Sequence, residues 1–249
     1  MSRGYIFITA YVDSGLYNRC VAKNPFIRDN PDIDCVAFDN STKNQHVSTR
    51  YNQFLDSWNY DNDAWFIFCH SDWEILEDIT EKLSLLDHNT IYGPIGAIVK
   101  TRFKKIINEC RGYCRERSRD GSESRVLSCK KQKTGTLVDT LDAQCIIINS
   151  ALVKKHHLRF DESFAYDLYC EDFSAAAKLK FGIQTRIFRV DCRHNNIAKN
   201  MDGREDYYRM LDIFNKKYPY DMFGSTVTVL GAVKKSFTYL FPNIIVDIE

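Results

Sequence analysis

Short apolar runs of strand length alternate with amphipathic stretches of helical length through the first hundred residues. Strands are predicted over 5–10, 34–38, 64–69 and 95–99, each an apolar run beside polar or turn residues. Helices are predicted between them over 16–22, 47–57 and 79–86. Alternation of this kind predicts right-handed crossovers and a largely parallel sheet. From 100 to 136 the pattern gives way to a basic, polar stretch with Arg111, Arg115, Arg117, Arg119 and Arg125. Glu109, Glu116, Asp120 and Glu123 interleave with these arginines, so the stretch reads as an excursion over one face of the sheet, a solvated loop or lid. A strand over 145–149, a helix over 173–180 and a strand over 184–190 then resume the pattern. An amphipathic helix over 206–217 opens a C-terminal tail, expected to be helical over about 204–249, and the whole chain, 1–249, reads as a single domain.

Composition narrows the function classes. With 249 residues and 44% hydrophobic side chains, the chain can bury a sizeable core. Lys and Arg total 34 against 33 Asp and Glu, a formal net charge of +1. That balance supplies no general field for nucleic acid or an anionic membrane, so any anion site must be local. The nine cysteines are odd in number and scattered, which reads as reduced cytosolic thiols rather than a disulfide framework. The N-terminal apolar run reads as a first strand rather than a signal peptide. No apolar run approaches the ~20 residues of a membrane span. A cytoplasmic location is expected, with peripheral contact at the inner face of the membrane left open.

The most informative stretch is Trp65-Phe-Ile-Phe-Cys-His-Ser-Asp-Trp-Glu-Ile75. It reads as a hydrophobic strand that delivers His70, Asp72 and Glu74 at its C-terminal edge, where open α/β sheets place their ligand sites. A carboxylate there can hold a divalent cation against a nucleotide diphosphate. The residues alone leave alternatives open. Asp72 is a metal ligand or the cap of a helix over 75–86, and His70 is a ligand or a satisfied buried histidine. Asp39, with Asn40 and Ser41, contacts a nucleotide or simply turns the chain. Glu171 and Asp172 supply a general base or complement a helix N-terminus.

The ordered succession Asp39-Asn-Ser-Thr42, Tyr51-Asn52, Phe68-Cys-His-Ser-Asp-Trp73, Val138-Asp-Thr-Leu-Asp142, Arg159-Phe-Asp-Glu162, Tyr169-Cys-Glu-Asp172 and Cys192-Arg-His194 resembles the family 2 glycosyltransferases of the GT-A fold. It is most similar to a family 2-like subgroup with His-x-Asp at the metal-motif position, and the resemblance spans roughly residues 5 to 218. It implies a three-layer α/β/α sandwich with a mostly parallel central sheet. It also implies transfer of a sugar from a nucleotide-sugar donor, a UDP-sugar, to a hydroxyl of a glycan or lipid-linked acceptor, with inversion.

By the same resemblance Asp72, His70 and His194 would hold Mn²⁺ or Mg²⁺, and Asp172 would be the general base with Glu171 positioning it. Thr9, Ala10, Val12, Asp39, Asn52, Asp72 and Asp142 would contact the nucleotide sugar. A non-catalytic nucleotide- or glycan-binding protein with a retained fold is the alternative, kept alive by His70 at the metal motif. A nucleotidyltransferase fits less well, because residues 10–15 lack the basic, Gly-rich phosphate loop it would need.

Overall fold

The computed structural model describes residues 4–43, 45–102, 105–117, 121–125, 132–195, 205–218, 223–226, 229–230 and 243–247. At its centre lies a seven-stranded sheet in the spatial order Leu137–Val138, Gln184–Ile187, Thr90–Gly93, Cys145–Asn149, Trp65–Cys69, Tyr5–Tyr11, Ile33–Asp39. Leu137–Val138 and Cys145–Asn149 run against the other strands, which share one direction, so the sheet is mostly parallel as predicted.

The side-chain alternation of a strand explains why these residues sit in the middle. Ile6, Ile8, Phe66, Phe68, Ile146 and Ile148 face one core, with Tyr51, Phe54 and Leu55 of the helix Val47–Ser57 and Phe173 of the helix Tyr169–Phe181. Phe7, Trp65, Ile67, Cys69, Cys145 and Ile147 face the other, with Leu16, Cys20, Val21, Ile27, Ile79 and Leu83. Both faces are therefore covered, which gives three layers. Burying each Phe or Ile of the Trp65–Cys69 strand contributes roughly 2 kcal/mol, and all five of its residues are buried.

The structure departs from the sequence reading in four places. The run from Thr90 to Arg102 is split at Pro94: Thr90–Gly93 is the central strand, and Ile95–Arg102 leaves the sheet. The described residues 105–117 and 121–125 of the basic excursion are largely β structure rather than loop. Lys105–Gly112 pairs with Ile95–Arg102 in a hairpin, and Thr140–Leu141 and Asn243–Asp247 complete a four-stranded sheet around it. Arg115–Arg117 and Glu123–Arg125 join Trp73–Ile75 and Cys192–His194 in another. Arg111 and Arg115 are paired with Glu109 and Asp191, while Arg119 and Asp120 lie outside the described residues.

The helix expected over 79–86 is only Thr80–Ser84, and Asp78 rather than Asp72 accepts from its Thr80 N–H at 2.9 Å. The tail is helical over Glu205–Lys217, after which its described residues form the strands Phe223–Gly224, Val229–Leu230 and Asn243–Asp247. Among the described residues no helix is long and apolar enough to cross a membrane, and eight cysteines are free thiols.

Gly112 ends the hairpin where the chain turns toward the third sheet. Its φ of 105° is one that side chains resist, and a Cβ there would run into the Pro94 carbonyl oxygen. Gly112→Ala is expected to lower stability by about 1–3 kcal/mol, read as a fall in the urea midpoint at unchanged slope.

Candidate functional site

Three side chains meet just beyond the C-terminal end of Trp65–Cys69. His70 comes directly after the strand, its N–H donating to Gln144 O at 3.0 Å, and a tight turn closed by Trp73 N to His70 O at 3.1 Å carries Asp72. The short strand Trp73–Ile75 then pairs antiparallel with Cys192–His194, with His194 opposite Trp73. That register, tightened by Asn195 N donating to Asp72 O at 2.9 Å, brings residues far apart in sequence to one spot. His194 Nε2 lies 3.3 Å and His70 Nδ1 4.0 Å from Asp72 Oδ1, and one potential ligand atom from each residue lies within 4.8 Å of the others. Their side chains are 12, 18 and 14% exposed for His70, Asp72 and His194, so the cluster is largely dehydrated yet reachable. Glu74 is not part of it, since Arg193 at 3.0 Å and Asn195 at 3.2 Å hold its carboxylate.

Hydrogen bonding fixes the His70 tautomer. Tyr169 Oη donates to Ala143 O at 3.0 Å, which leaves its oxygen to accept from His70 Nε2–H at 3.1 Å. The Nδ1 lone pair then faces Asp72. His70 Nδ1 is buried without a hydrogen-bond partner, a cost of ~1–3 kcal/mol that a bound cation would remove, and Asp72 Oδ1 is buried with His194 Nε2 at 3.3 Å as its neighbour. The residues therefore fit a divalent metal, with the Tyr169 hydroxyl as the outer partner that orients a ligating imidazole. Burial holds His70 below its ordinary pKa, against the pull of Asp72, so it is neutral. Burial also disfavours charge on His194, but Asp72 and Glu116 outweigh it and carry this imidazole up to about 10. A metal must displace that proton.

The expected base pair lies in the first turn of Tyr169–Phe181, and its two carboxylates occupy different surroundings. Asp172 is engaged by two partners: Lys217 Nζ lies 2.7 Å away and Tyr218 Oη donates to it at 2.8 Å. Burial raises its pKa while these two partners oppose the rise. Glu171 is buried with Oε2 unpartnered. Burial, reinforced by the charge of Asp142, lifts Glu171 to about 8. Asp142 accepts from Gln144 N at 3.0 Å and Thr226 Oγ1 at 2.8 Å, and its charge also acts on both imidazoles.

The expected donor contacts divide. Asp39 ends its strand opposite Tyr11 and is exposed; hydrogen bonds from Ser41 hold its carboxyl below the usual range. Ala10 and exposed Val12 lie on the same rim, beside the stacked Tyr11–Tyr17 pair, with ring centroids 4.7 Å apart. Thr9 is instead buried, its hydroxyl 3.3 Å from Cys69 Sγ. Asn52 is engaged away from any open rim. Its amide donates to Phe160 O at 2.9 Å and Glu162 Oε1 at 2.9 Å and accepts from Phe160 N at 3.0 Å. It clamps the segment leading toward Glu171. Sequence reasoning missed Tyr169, Glu116, Lys217, Tyr218 and Thr226. Tyr169 stood in the same motif as Glu171, whereas the others are brought in by pairings that no local pattern announces.

No protein-family model matches this sequence, and no curated protein matches it. Solved structures match its shape. A crystal structure of S. aureus TarS aligns with TM-score 0.51 at 13% identity, covering 84% of this chain and 38% of that one. TarS residues 1–349 align with TM-score 0.52 at 13% identity, covering 84% and 64%. The same TarS segment in complex with UDP-GlcNAc aligns with TM-score 0.50 at 11% identity, covering 84% and 65%. This chain thus spans less than two thirds of those chains. The likeness establishes a glycosyltransferase-like α/β fold.

Glu171 generates a pH-dependent stability. Its folded pKa of about 8 lies above the usual unfolded value, so the unfolded chain loses the proton first as pH rises and stability falls between about pH 4.5 and 8. Glu171→Gln removes this dependence. Its stability relative to wild type is expected to improve from pH 5 to pH 8 by on the order of 2–4 kcal/mol, measured by urea unfolding at the two pH values.

Proposed function

We propose that the chain is a glycosyltransferase that moves a sugar from a UDP-sugar to a hydroxyl of a glycan or lipid-linked acceptor, with inversion. The observation that carries this reading is the meeting of His70, Asp72 and His194, whose ligand atoms lie within 4.8 Å of one another with His70 Nδ1 buried and unpartnered, at the C-terminal end of a central strand. Glu171 Oε2, a buried oxygen without a hydrogen-bond partner in the same region, supports it. The fold shared with TarS, one structure of which is a UDP-GlcNAc complex, supports the donor class.

In this reading Asp39 accepts from the N–H edge of uracil at the rim formed by Ala10 and Val12. His70, Asp72 and His194 would hold a divalent cation, which offsets the charge developing on the leaving nucleotide diphosphate. Two imidazoles and one carboxylate suit Mn²⁺ better than Mg²⁺, which prefers an all-oxygen shell. Glu171 takes the proton of the acceptor hydroxyl as that oxygen attacks the anomeric carbon. The bond to the diphosphate breaks on the opposite face, and the diphosphate leaves with the electron pair. A carboxylate with a pKa of about 8 is a stronger base than an ordinary one, and transfer by it rises with pH as the group loses its own proton. Asp142 contacts the donor sugar, while Asp172, Asn52 and Thr9 act through structure.

A second reading, a non-catalytic nucleotide- or glycan-binding module, is favoured by one observation. Protonated His194 lies between Asp72 and Glu116, 3.3 Å and 3.9 Å from their carboxylates, and balances charge there without a metal.

Thermal unfolding with UDP, GDP, CDP and their sugars, each with and without Mn²⁺, tests the donor site. UDP or a UDP-sugar with Mn²⁺ is expected to raise the midpoint more than either alone, and His70→Ala or His194→Ala to abolish the metal-dependent part. No shift with any nucleotide at millimolar concentration overturns the reading. Glu171→Gln is expected to lower kcat by about 10²–10⁴-fold while nucleotide stabilisation persists; a binding module would lose nothing by this change.

A further inference from the structure

One aromatic side chain beside the cluster is left unexplained by the metal site and the base. Tyr166 is 56% exposed, among the most exposed large hydrophobic side chains in the described structure, while its hydroxyl end is crowded, burial and the charges of Asp72, Asp167 and Asp142 raising its pKa. It nevertheless lies flat against His70, with ring centroids 5.4 Å apart and planes 19° from parallel. An exposed ring normally samples several rotamers, and this one is stacked in place over an imidazole whose own orientation Tyr169 fixes.

The backbone around it is held as firmly. Ala165 O accepts from Val47 N at 3.0 Å, and Phe164 O accepts from Ser48 Oγ at 2.7 Å. Two residues after Tyr166, the buried Leu168 adopts φ 60°, a left-handed conformation that a branched side chain resists. Its carbonyl then accepts from Asp172 N at 2.8 Å as the helix begins. Strain of this kind persists only where the surroundings over-determine it, and it gathers at ligand sites. Here it sets the exposed ring and Glu171 on one short, rigid segment.

A tyrosine with one face on a histidine and substantial exposed surface offers a flat apolar plate with a polar edge. The chemistry that fits such a plate is the C–H face of a pyranose ring, whose hydroxyls lie around its rim. Linear polyols, serine or threonine peptides and lipid hydroxyls present no such face. The nucleotide end of the donor is accounted for at the rim of Ala10, Val12 and Asp39. The plate stands instead five residues before the proposed base, whose partner is the acceptor hydroxyl.

We infer that Tyr166 is the platform on which a pyranose ring of the acceptor stacks, so that the acceptor is a glycan. This inference rests on the glycosyltransferase reading for the word acceptor, and on the ring geometry alone for sugar stacking. It assigns Tyr166 to substrate positioning rather than proton transfer.

The test uses the full chain with cellotetraose, maltotetraose and chitotetraose as probes, in saturation-transfer NMR and in steady-state transfer from the UDP-sugar that stabilises the protein. Tyr166→Ala is expected to raise the acceptor KM about five- to tenfold, with the donor KM and the Mn²⁺-dependent thermal shift unchanged. Tyr166→Phe and Tyr166→Trp are expected to keep the acceptor KM within about twofold, because they keep the plate. Sugar contacts in the NMR spectra should vanish in Tyr166→Ala and persist in the Phe variant. If wild type binds a tetrasaccharide through Tyr166 but transfers nothing, the enzymatic reading falls and the platform stands. Two results overturn the platform: no tetrasaccharide binding by wild type, or a Tyr166→Ala variant that alters Mn²⁺ binding or donor KM while leaving sugar binding intact.

Discussion

The strand Trp65–Cys69 can exist only with both faces covered, and the rest of the molecule is arranged around that demand. Its residues alternate between two cores, its edges are taken by Tyr5–Tyr11 and Cys145–Asn149, and no polar side chain interrupts it. Such a strand is rigid, so the residues just past its end are positioned rather than free. His70 and Asp72 come at the first place where the chain leaves the core. Their burial without full hydrogen bonding would be a defect in a purely structural turn. At the end of a central strand it is the arrangement expected of a prepared ligand site.

The site is completed from the C-terminal part of the chain. Lys217 and Tyr218 hold Asp172, Lys217 also pairs with Asp161 at 2.6 Å, and Thr226 holds Asp142. Asn108, buried in the hairpin strand, donates to Ser225 O at 2.7 Å and so anchors this segment to the second sheet. Four acidic residues, Asp142, Asp161, Glu171 and Asp172, stand near the start of one helix, and cations and hydroxyls from 217–226 reach all four, Ser225 being the one that meets Glu171. Glu171 alone retains a buried oxygen without a partner. The C-terminal segment thus decides which carboxylate keeps an unusual proton affinity.

How much of this could be read from sequence depended on the range of the interaction. The helix Val47–Ser57 was legible to its ends because Tyr51, Phe54 and Leu55 follow the helical period and Trp58 leaves it. The Trp65–Cys69 strand and the polar residues after it were legible because burial on both faces produces an unbroken apolar run. Thr90–Gly93 was hidden because the apolar pattern continues past Pro94 into a strand of a different sheet. The hairpin strand Lys105–Gly112 was hidden because Asn108 is polar yet fully buried, its Nδ2 donating to Ser225 far along the chain. Glu116 reaches His194 only through the parallel pairing of Arg115–Arg117 with Cys192–His194, a contact with no local signature. His70, Asp72, His194 and the Glu171-Asp172 pair could be singled out as types, whereas the division of labour within the pair could not.

That division comes from helix geometry. Adjacent residues on a helix point about 100° apart, so two neighbouring carboxylates at one N-terminus cannot share an environment. Asp172 turns toward Lys217 and Tyr218, where an ammonium and a hydroxyl oppose the effect of burial. Glu171 turns toward Asp142, where a second negative charge adds to it. Environments that push apart the proton affinities of paired acids mark their separate roles. An acid that is already compensated by a lysine gains little from taking a substrate's proton. An acid held among carboxylates gains charge relief by it, which is why the proposed reaction gives the base role to Glu171.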